Sequence, residues 1–171
     1  VSLFDGRGGE WTATVAEIGR REVQVAVLAH APLERELPVA VTLAVVMPAG
    51  DRMDFVVEKA TELGAAAIVP LMSERSVLRL AGERAAKRAA HWQALAVAAC
   101  EQCGRNRVPR IEAVQTLATA LSGVLVATPG ERRLLAWRDA SLWSPLSAGV
   151  RQLVLLSGPE GGLTPAEEDL A

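Results

Sequence analysis

The sequence predicts an α/β protein whose main body is an open parallel sheet with helices between its strands, preceded by a short antiparallel β segment. Three observations carry that prediction. Four apolar runs, at residues 41–47 (VTLAVVM), 65–71 (AAAIVPL), 124–127 (VLVA) and 153–156 (LVLL), have the length and unbroken hydrophobicity of strands buried on both faces. The stretches between the first three repeat apolar residues at helical spacing. Ahead of them, residues 11–18 and 22–28 alternate polar and apolar with a period of two.

Composition agrees with a folded chain. At 171 residues, 50% hydrophobic and 22% charged, it fits one domain or one domain with a small companion, and excludes a disordered or fibrous class. No apolar run reaches the roughly 18 residues of a membrane span, and residues 1–10 lack the basic-then-apolar layout of a secretion signal. A cytoplasmic location away from membranes is the expectation. Two cysteines, Cys100 and Cys103, are too few for a disulfide framework or a four-thiolate zinc site.

The elements follow in order. Residues 11–28 form a hairpin around Gly19-Arg20-Arg21, preceded by the glycine-rich Asp5-Gly6-Arg7-Gly8-Gly9. A unit of fewer than about 40 residues rarely folds alone, so this one packs on the rest or belongs to something larger. Residues 31–38 (APLERELP), with two prolines and three charges, read as a linker, which puts the boundary between a domain at 1–38 and one at 39–171. After the first buried strand, Met53, Val56, Val57, Ala60 and Leu63 mark a helix with Asp51 at its N-cap and Gly64 as its stop. After the second, Ala85, Ala89, Trp92, Ala96, Ala99 and Cys103 form a stripe ended by Gly104. The last run leads through a glycine-rich turn into Thr164 at N-cap, Pro165 at N1 and Glu167 at N3, a capping box.

In open α/β sheets ligands bind beyond the carboxyl ends of the strands, which directs attention to the loops at Pro48-Ala49-Gly50-Asp51, Met72-Ser73-Glu74-Arg75-Ser76, Thr128-Pro129-Gly130-Glu131 and Ser157-Gly158-Pro159-Glu160-Gly161-Gly162. The last has three glycines, one proline and one acid in six residues. It lacks the Lys and Ser/Thr of a P-loop, and Glu160 puts a negative charge where a phosphate would sit. A neutral or cationic ligand packed against backbone suits it better, unless the turn is only structural. Its place after the last run also separates it from a dinucleotide fingerprint, which follows the first strand.

Net charge is −2, which gives no general electrostatic case for nucleic acid. Residues 73–110, however, carry +5, with Arg75, Arg79, Arg84, Lys87, Arg88, Arg105, Arg107 and Arg110 against Glu74, Glu83 and Glu101, while the last dozen residues are acidic. Arginine supplies 16 of the 18 basic residues. A GC-rich genome explains that total and the 30 alanines; the clustering points to phosphate recognition.

Taken in order, Leu3-Phe4-Asp5-Gly6, Glu58-Lys59-Ala60-Thr61-Glu62-Leu63-Gly64, Pro70-Leu71-Met72-Ser73-Glu74-Arg75-Ser76, Ala99-Cys100-Glu101-Gln102-Cys103-Gly104-Arg105-Asn106-Arg107 and Gly158-Pro159-Glu160-Gly161-Gly162-Leu163-Thr164 resemble the successive motifs of the RsmE family. These are bacterial methyltransferases of 16S ribosomal RNA that act on uridine N3 and belong to the SPOUT superfamily. The resemblance implies a SPOUT-type parallel sheet with a C-terminal trefoil knot, a partial PUA-like β-barrel at the N-terminus, S-adenosylmethionine as methyl donor, a homodimer, and 16S ribosomal RNA in the small subunit as partner. It further implies cofactor contacts from Thr128, Pro129, Gly158, Pro159, Glu160, Gly161 and Gly162. Against the family pattern, the chain starts inside the barrel and stops before the knot strand and last helix, so residues 1–171 alone are expected to be inactive.

Methylation at an imide nitrogen requires loss of a weakly acidic proton and stabilisation of the resulting anion, a task for a guanidinium. Arg105 is the expected catalytic arginine. Arg75 and Arg107 are the expected substrate-binding ones. Glu101 and Glu160 are the motif acids available as base, and neither the residues nor the resemblance chooses between them; Glu101 is carried as the catalytic candidate. Gly161 is expected either to lie against the cofactor or to need positive φ. Two other classes remain open from the residues: a noncatalytic RNA-binding module with a structural glycine turn, and a nucleotide-binding protein of flavodoxin type.

Other residues read as structure. The Cys100/Cys103 pair sits at a helix C-terminus, where the dipole disfavours thiolate, and is expected to pack. His30 and His91 show no ligand spacing, so no metal site is expected. Trp92 belongs to the core stripe, and Trp137 and Trp143 are expected to cover the sheet or an interface.

Overall fold

The computed structural model describes residues 1–123 and 150–170. The predicted strand at 124–127, Thr128, Pro129, Gly130, Trp137 and Trp143 lie outside them. At the N-terminus β1 (Ser2–Leu3), β2 (Glu10–Ile18) and β3 (Val23–Ala31) form an antiparallel sheet in the order β1-β2-β3. The turn closes where Gly19 N–H donates to the Glu22 carbonyl at 2.9 Å.

The second sheet is built from β4 (Ala40–Val46), β5 (Ala65–Met72) and β8 (Gln152–Ser157), with two-residue strands β6 (Arg110–Ile111) and β7 (Gln115–Thr116) along β5. Its order is β6-β5-β4-β8, every pairing parallel. Val45 pairs with Pro70 of β5 and Ser157 of β8. The carboxyl ends of the three main strands are therefore level, and their loops emerge side by side.

The apolar runs do what continuous hydrophobicity implies. Along β4, Val45 faces a cluster with Met53, Val57, Ala60, Trp92 and Ala96, while Ala44 and Val46 face the opposite cluster with Val69, Leu71, Leu117 and Ala120. Successive side chains on a strand point to opposite faces, and both faces here are apolar. α1 (Arg52–Glu62) and α2 (Gly82–Cys103) cover the first face; α3 (Leu117–Ser122) covers the second. α4 (Pro165–Leu170) follows β8.

Three details differ from expectation. Asp51 occupies the N-cap of α1 without a side-chain cap bond, and its carboxylate instead lies 3.7 Å from the Arg88 guanidinium. Leu63 is exposed because it lies past the last helical residue, and the buried face turns toward Thr61, which is fully buried. Cys103 is exposed whereas Cys100 is buried. At 22 residues α2 is about 33 Å long, against about 26 Å for the eight residues of β5, so its last turn overruns the sheet. The short β6, β7 and α3 carry too few residues for periodicity to reveal them, although Thr116 caps α3 by accepting from Thr119 N–H at 3.1 Å.

No helix among the described residues is long and apolar enough to cross a membrane. Nor is there among them a group of three or more His, Cys, Asp or Glu able to hold a metal. Trp92 is 1% exposed and donates its indole N–H to Asp54 at 2.9 Å; His91 lies 2.7 Å from the other oxygen of the same carboxylate. Burial pushes the Cys100 thiol up to about 11, the state of a packing residue.

Candidate active site at the carboxyl edge of the parallel sheet

The loops after β4, β5 and β8 meet at the carboxyl edge and hold one another. In the turn after β8, Gly162 N–H donates to the Pro159 carbonyl at 2.9 Å, and Gly162 takes φ +70°, a left-handed conformation that glycine adopts without strain. The expectation of positive φ at Gly161 is thus corrected by one residue. Gly158 has a different reason to be glycine, since a Cβ there would lie 3.3 Å from the Leu163 side chain.

Arg75, from the loop after β5, clamps this turn. One guanidinium nitrogen donates to the carbonyls of Gly161 at 2.9 Å and Leu163 at 3.1 Å. On the other side, Glu160 accepts from Ala49 N–H at 3.4 Å and from Arg52 at 3.3 Å, which joins the turn to the loop after β4. Backbone N–H donors, chiefly its own and that of Ala49, together with the Arg52 charge, hold the Glu160 carboxyl below its ordinary value of 4.5. At neutral pH it is an ionised acceptor and a weak base.

The capping box forms as expected and does more. Thr164 N–H donates to Glu167 at 2.9 Å, Glu167 N–H returns the bond to the Thr164 hydroxyl at 3.3 Å, and the other Glu167 oxygen accepts from Glu74 N–H at 2.8 Å. The carboxylate therefore staples α4 to the loop after β5. Burial works against its ionisation, but the N–H donors of Thr164 and Glu74 outweigh it and hold the carboxyl below its ordinary value. Sequence spacing shows the cap; nothing in it shows the reach to Glu74, 93 residues away.

A cleft of about 430 Å³ opens beside the glycine turn, walled by Val45, Val46, Phe55 and Val56 and rimmed by Gly158, Pro159 and Glu160. An apolar wall, a turn of small residues and one ionised carboxylate suit a flat, partly apolar ligand that bears positive charge. S-adenosylmethionine, with its adenine and its sulfonium, has that chemistry, and the residues present fit it.

Other predicted residues lie elsewhere. Arg105 is 8% exposed, donates from Nε to Glu36 at 3.0 Å with Nη2 also on that carboxylate, and places Nη1 on the carbonyls of Thr61 at 2.7 Å and Ala65 at 3.1 Å. Ala65 begins β5, so Arg105 sits at the amino edge of the sheet, about 20 Å from the carboxyl edge. Arg107 also turns away, donating to Glu34 at 2.8 Å. Glu101 is exposed on the last turn of α2. The structure thus brings Arg75 together with Gly158, Pro159, Glu160, Gly161 and Gly162, and leaves Arg105, Arg107 and Glu101 at the opposite end. Sequence reading missed Ala49 and Arg52 as partners of the turn, which only the pairing of β4 with β8 brings near.

Residues 35–171 match the RNA methyltransferase domain family, and residues 1–28 match the RNA methyltransferase PUA domain family. Fold and site together define an RNA methyltransferase domain behind a PUA-like sheet. The chain is 31% identical over 169 residues to ribosomal RNA small subunit methyltransferase E of Bacillus subtilis, covering 94% of this chain and 65% of that protein. Identity to the Synechocystis protein of the same name is 32% over 176 residues, covering 99% and 55%. Among solved structures, ribosomal RNA small subunit methyltransferase E of Neisseria gonorrhoeae, bound to S-adenosyl methionine, superposes with a TM-score of 0.87 at 37% identity, covering 100% of this chain and 70% of that one. A putative methyltransferase of Legionella pneumophila, in complex with the same cofactor, gives 0.82 at 31%, covering 99% and 69%. The chain belongs to the ribosomal RNA small subunit methyltransferase E family. It spans less than two thirds of the length of these curated relatives.

Proposed function

We propose that this chain belongs to an enzyme that transfers the methyl group of S-adenosylmethionine to uridine N3 of 16S ribosomal RNA, working in the cytoplasm as a homodimer on the small ribosomal subunit. One observation carries the reading: the loops after β4 and β5 clamp the glycine turn after β8 beside an apolar cleft, at the edge of the sheet where α/β enzymes bind ligands. When bound, the cofactor supplies an electrophilic methyl on a sulfonium.

The chain's own residues prepare its place. Arg75 fixes the Gly161 and Leu163 carbonyls, and Glu167 fixes the loop that carries Arg75. A turn held from both sides is already shaped before ligand arrives, which lowers the ordering cost of binding. Pro159 and Gly161 belong to this turn, and Thr128 and Pro129 are assigned to the same cofactor. Glu160, ionised, offers a negative group to a cation rather than a proton acceptor to a weakly acidic imide.

RNA then approaches across the basic part of the same edge. Arg79 donates to the Glu74 carbonyl at 2.7 Å, and Arg84, Lys87 and Arg88 follow on the first half of α2. Lys87 and Arg88 meet only long pairs among the described residues, at 3.9 Å with Glu83 and 3.7 Å with Asp51. Such groups can turn to phosphates, with affinity that falls as salt rises. Arg88→Ala is expected to weaken RNA binding and flatten its salt slope by about one counterion. An unchanged slope would move the RNA path off α2.

Calorimetry of the full-length protein with S-adenosylmethionine tests the reading, and saturable binding at one site per chain is expected. Absence of binding, with RNA affinity intact, would favour a noncatalytic RNA-binding module.

A further inference from the structure

The segment Gly104-Arg105-Asn106-Arg107-Val108 is densely tied by hydrogen bonds and lies at the amino edge of the sheet, away from the cleft beside the glycine turn. Its contacts run to three separate parts of the chain. Toward the N-terminal sheet, Gly8 N–H donates to the Asn106 carbonyl at 3.0 Å and Val108 N–H donates to the Gly6 carbonyl at 3.1 Å, around an antiparallel bridge between Arg7 and Arg107. Gly6 and Gly8 there take φ +81° and +98°, left-handed values that glycine adopts without strain. Toward the linker, the Asn106 amide donates to the Leu33 carbonyl at 2.8 Å, Arg107 pairs with Glu34, Arg35 donates to the Gly104 carbonyl at 3.2 Å, and Arg105 holds Glu36. Toward the parallel sheet, Arg105 reaches the ends of α1 and the start of β5 through Thr61 and Ala65.

We propose that this segment is an interdomain lock: Arg105 and Arg107, through Glu36 and Glu34, fix the N-terminal sheet against the parallel-sheet body so that RNA held by the one presents its nucleotide to the other. Arg105 and Arg107 are positioning residues. The proposal rests on the methyltransferase reading above for its functional half and on the contacts alone for its structural half.

The geometry gives the lock its strength. A linker of eight residues with two prolines would otherwise leave two bodies free to reorient, since small interdomain contacts permit relative motion by default. Here the buried Arg105 fork joins linker carboxylate and sheet backbone in one group, with five N–H donors in a plane that a lysine cannot reproduce. The exposed Arg107–Glu34 pair adds a second tie about the same axis. A positional error of an ångström far from the reacting atoms is enough to cost up to a hundredfold in turnover.

The test uses the full-length protein carrying spin labels at Arg20→Cys, on the β2–β3 turn, and Lys87→Cys, on α2, with other exposed thiols removed. Electron-resonance distance measurements are expected to give one narrow distribution, which broadens in Arg105→Lys, Glu36→Gln and Arg107→Glu. The charge-swapped pair Arg107→Glu/Glu34→Arg is expected to restore it. The broadened variants without labels are expected to bind S-adenosylmethionine within twofold of the unaltered protein while kcat/KM for small ribosomal subunits falls on the order of tenfold or more. Unchanged widths in all three single variants would overturn the lock. Broadened widths with unchanged kcat/KM would overturn its positioning role. Should the unaltered protein transfer no methyl group, the functional reading falls, and the widths still decide whether the lock exists.

Discussion

Arg75 illustrates how a residue marked by its position can have partners that its charge alone does not name. Its position after a strand end marks it in the sequence, and charge suggests a phosphate; the structure spends that charge on two carbonyls of the glycine turn. Arg75→Ala therefore removes a charge-assisted donor from the turn, worth about 1 kcal/mol at an exposed site. Cofactor affinity is expected to fall by roughly fivefold to tenfold, read by calorimetry on the full-length protein. Gly162 and Gly161 separate backbone from ligand. Gly162→Ala forces a left-handed residue and is expected to destabilise by about 1–2 kcal/mol in urea unfolding. Gly161→Val meets only Arg75, at an ordinary 3.8 Å to the first added carbon, so the fold is expected to hold while cofactor binding is lost. Retained affinity in that variant would make the turn purely structural. Arg105 could not be placed from sequence because the residue it serves, Glu36, is read as linker, and burial of an ion pair leaves no periodic trace.

Elements were legible wherever repetition exposed them. β4, β5, β8, α1 and α2 follow from continuous apolar runs and helical stripes, and the start of α4 follows from its capping box. β6, β7 and α3 escaped because two to six residues cannot establish a period. The cap of α4 makes a pH prediction. Because the folded carboxyl of Glu167 lies below its ordinary 4.5, its contribution is fully present above that value and is lost as pH falls through the lower folded value. Protection factors at the Glu74 and Thr164 amides, referred to the intrinsic exchange rate at each pH, are expected to fall in acid, and Glu167→Gln to show the lower protection already at pH 7. Equal protection in both proteins at pH 7 would contradict the staple. Between α1 and α2, Asp54→Ala leaves the buried Trp92 indole N–H unpaired and is expected to cost about 1–3 kcal/mol, measured by urea unfolding.

For the whole molecule, the basic segment at 73–110 divides in space as its charge sum could not reveal. Arg75, Arg79, Arg84, Lys87 and Arg88 stand at the carboxyl edge or on the helix beside it, whereas Arg105, Arg107 and Arg110 lie toward the amino edge. α2 accounts for the division, since it carries the chain back along the full length of the sheet. The proposed cofactor edge and the proposed interdomain lock therefore lie at opposite ends of the sheet. The candidate site was half legible for the same reason: the glycine turn carries its own composition, but the residues that clamp it come from loops that only strand pairing makes neighbours. The most direct measurement of the central claim is mass spectrometry of nucleosides from small ribosomal subunits lacking the modification, treated with the full-length protein and S-adenosylmethionine. The account predicts N3-methyluridine in the 16S RNA, at one site, dependent on both protein and cofactor. Saturable cofactor binding without any methylated uridine would contradict it.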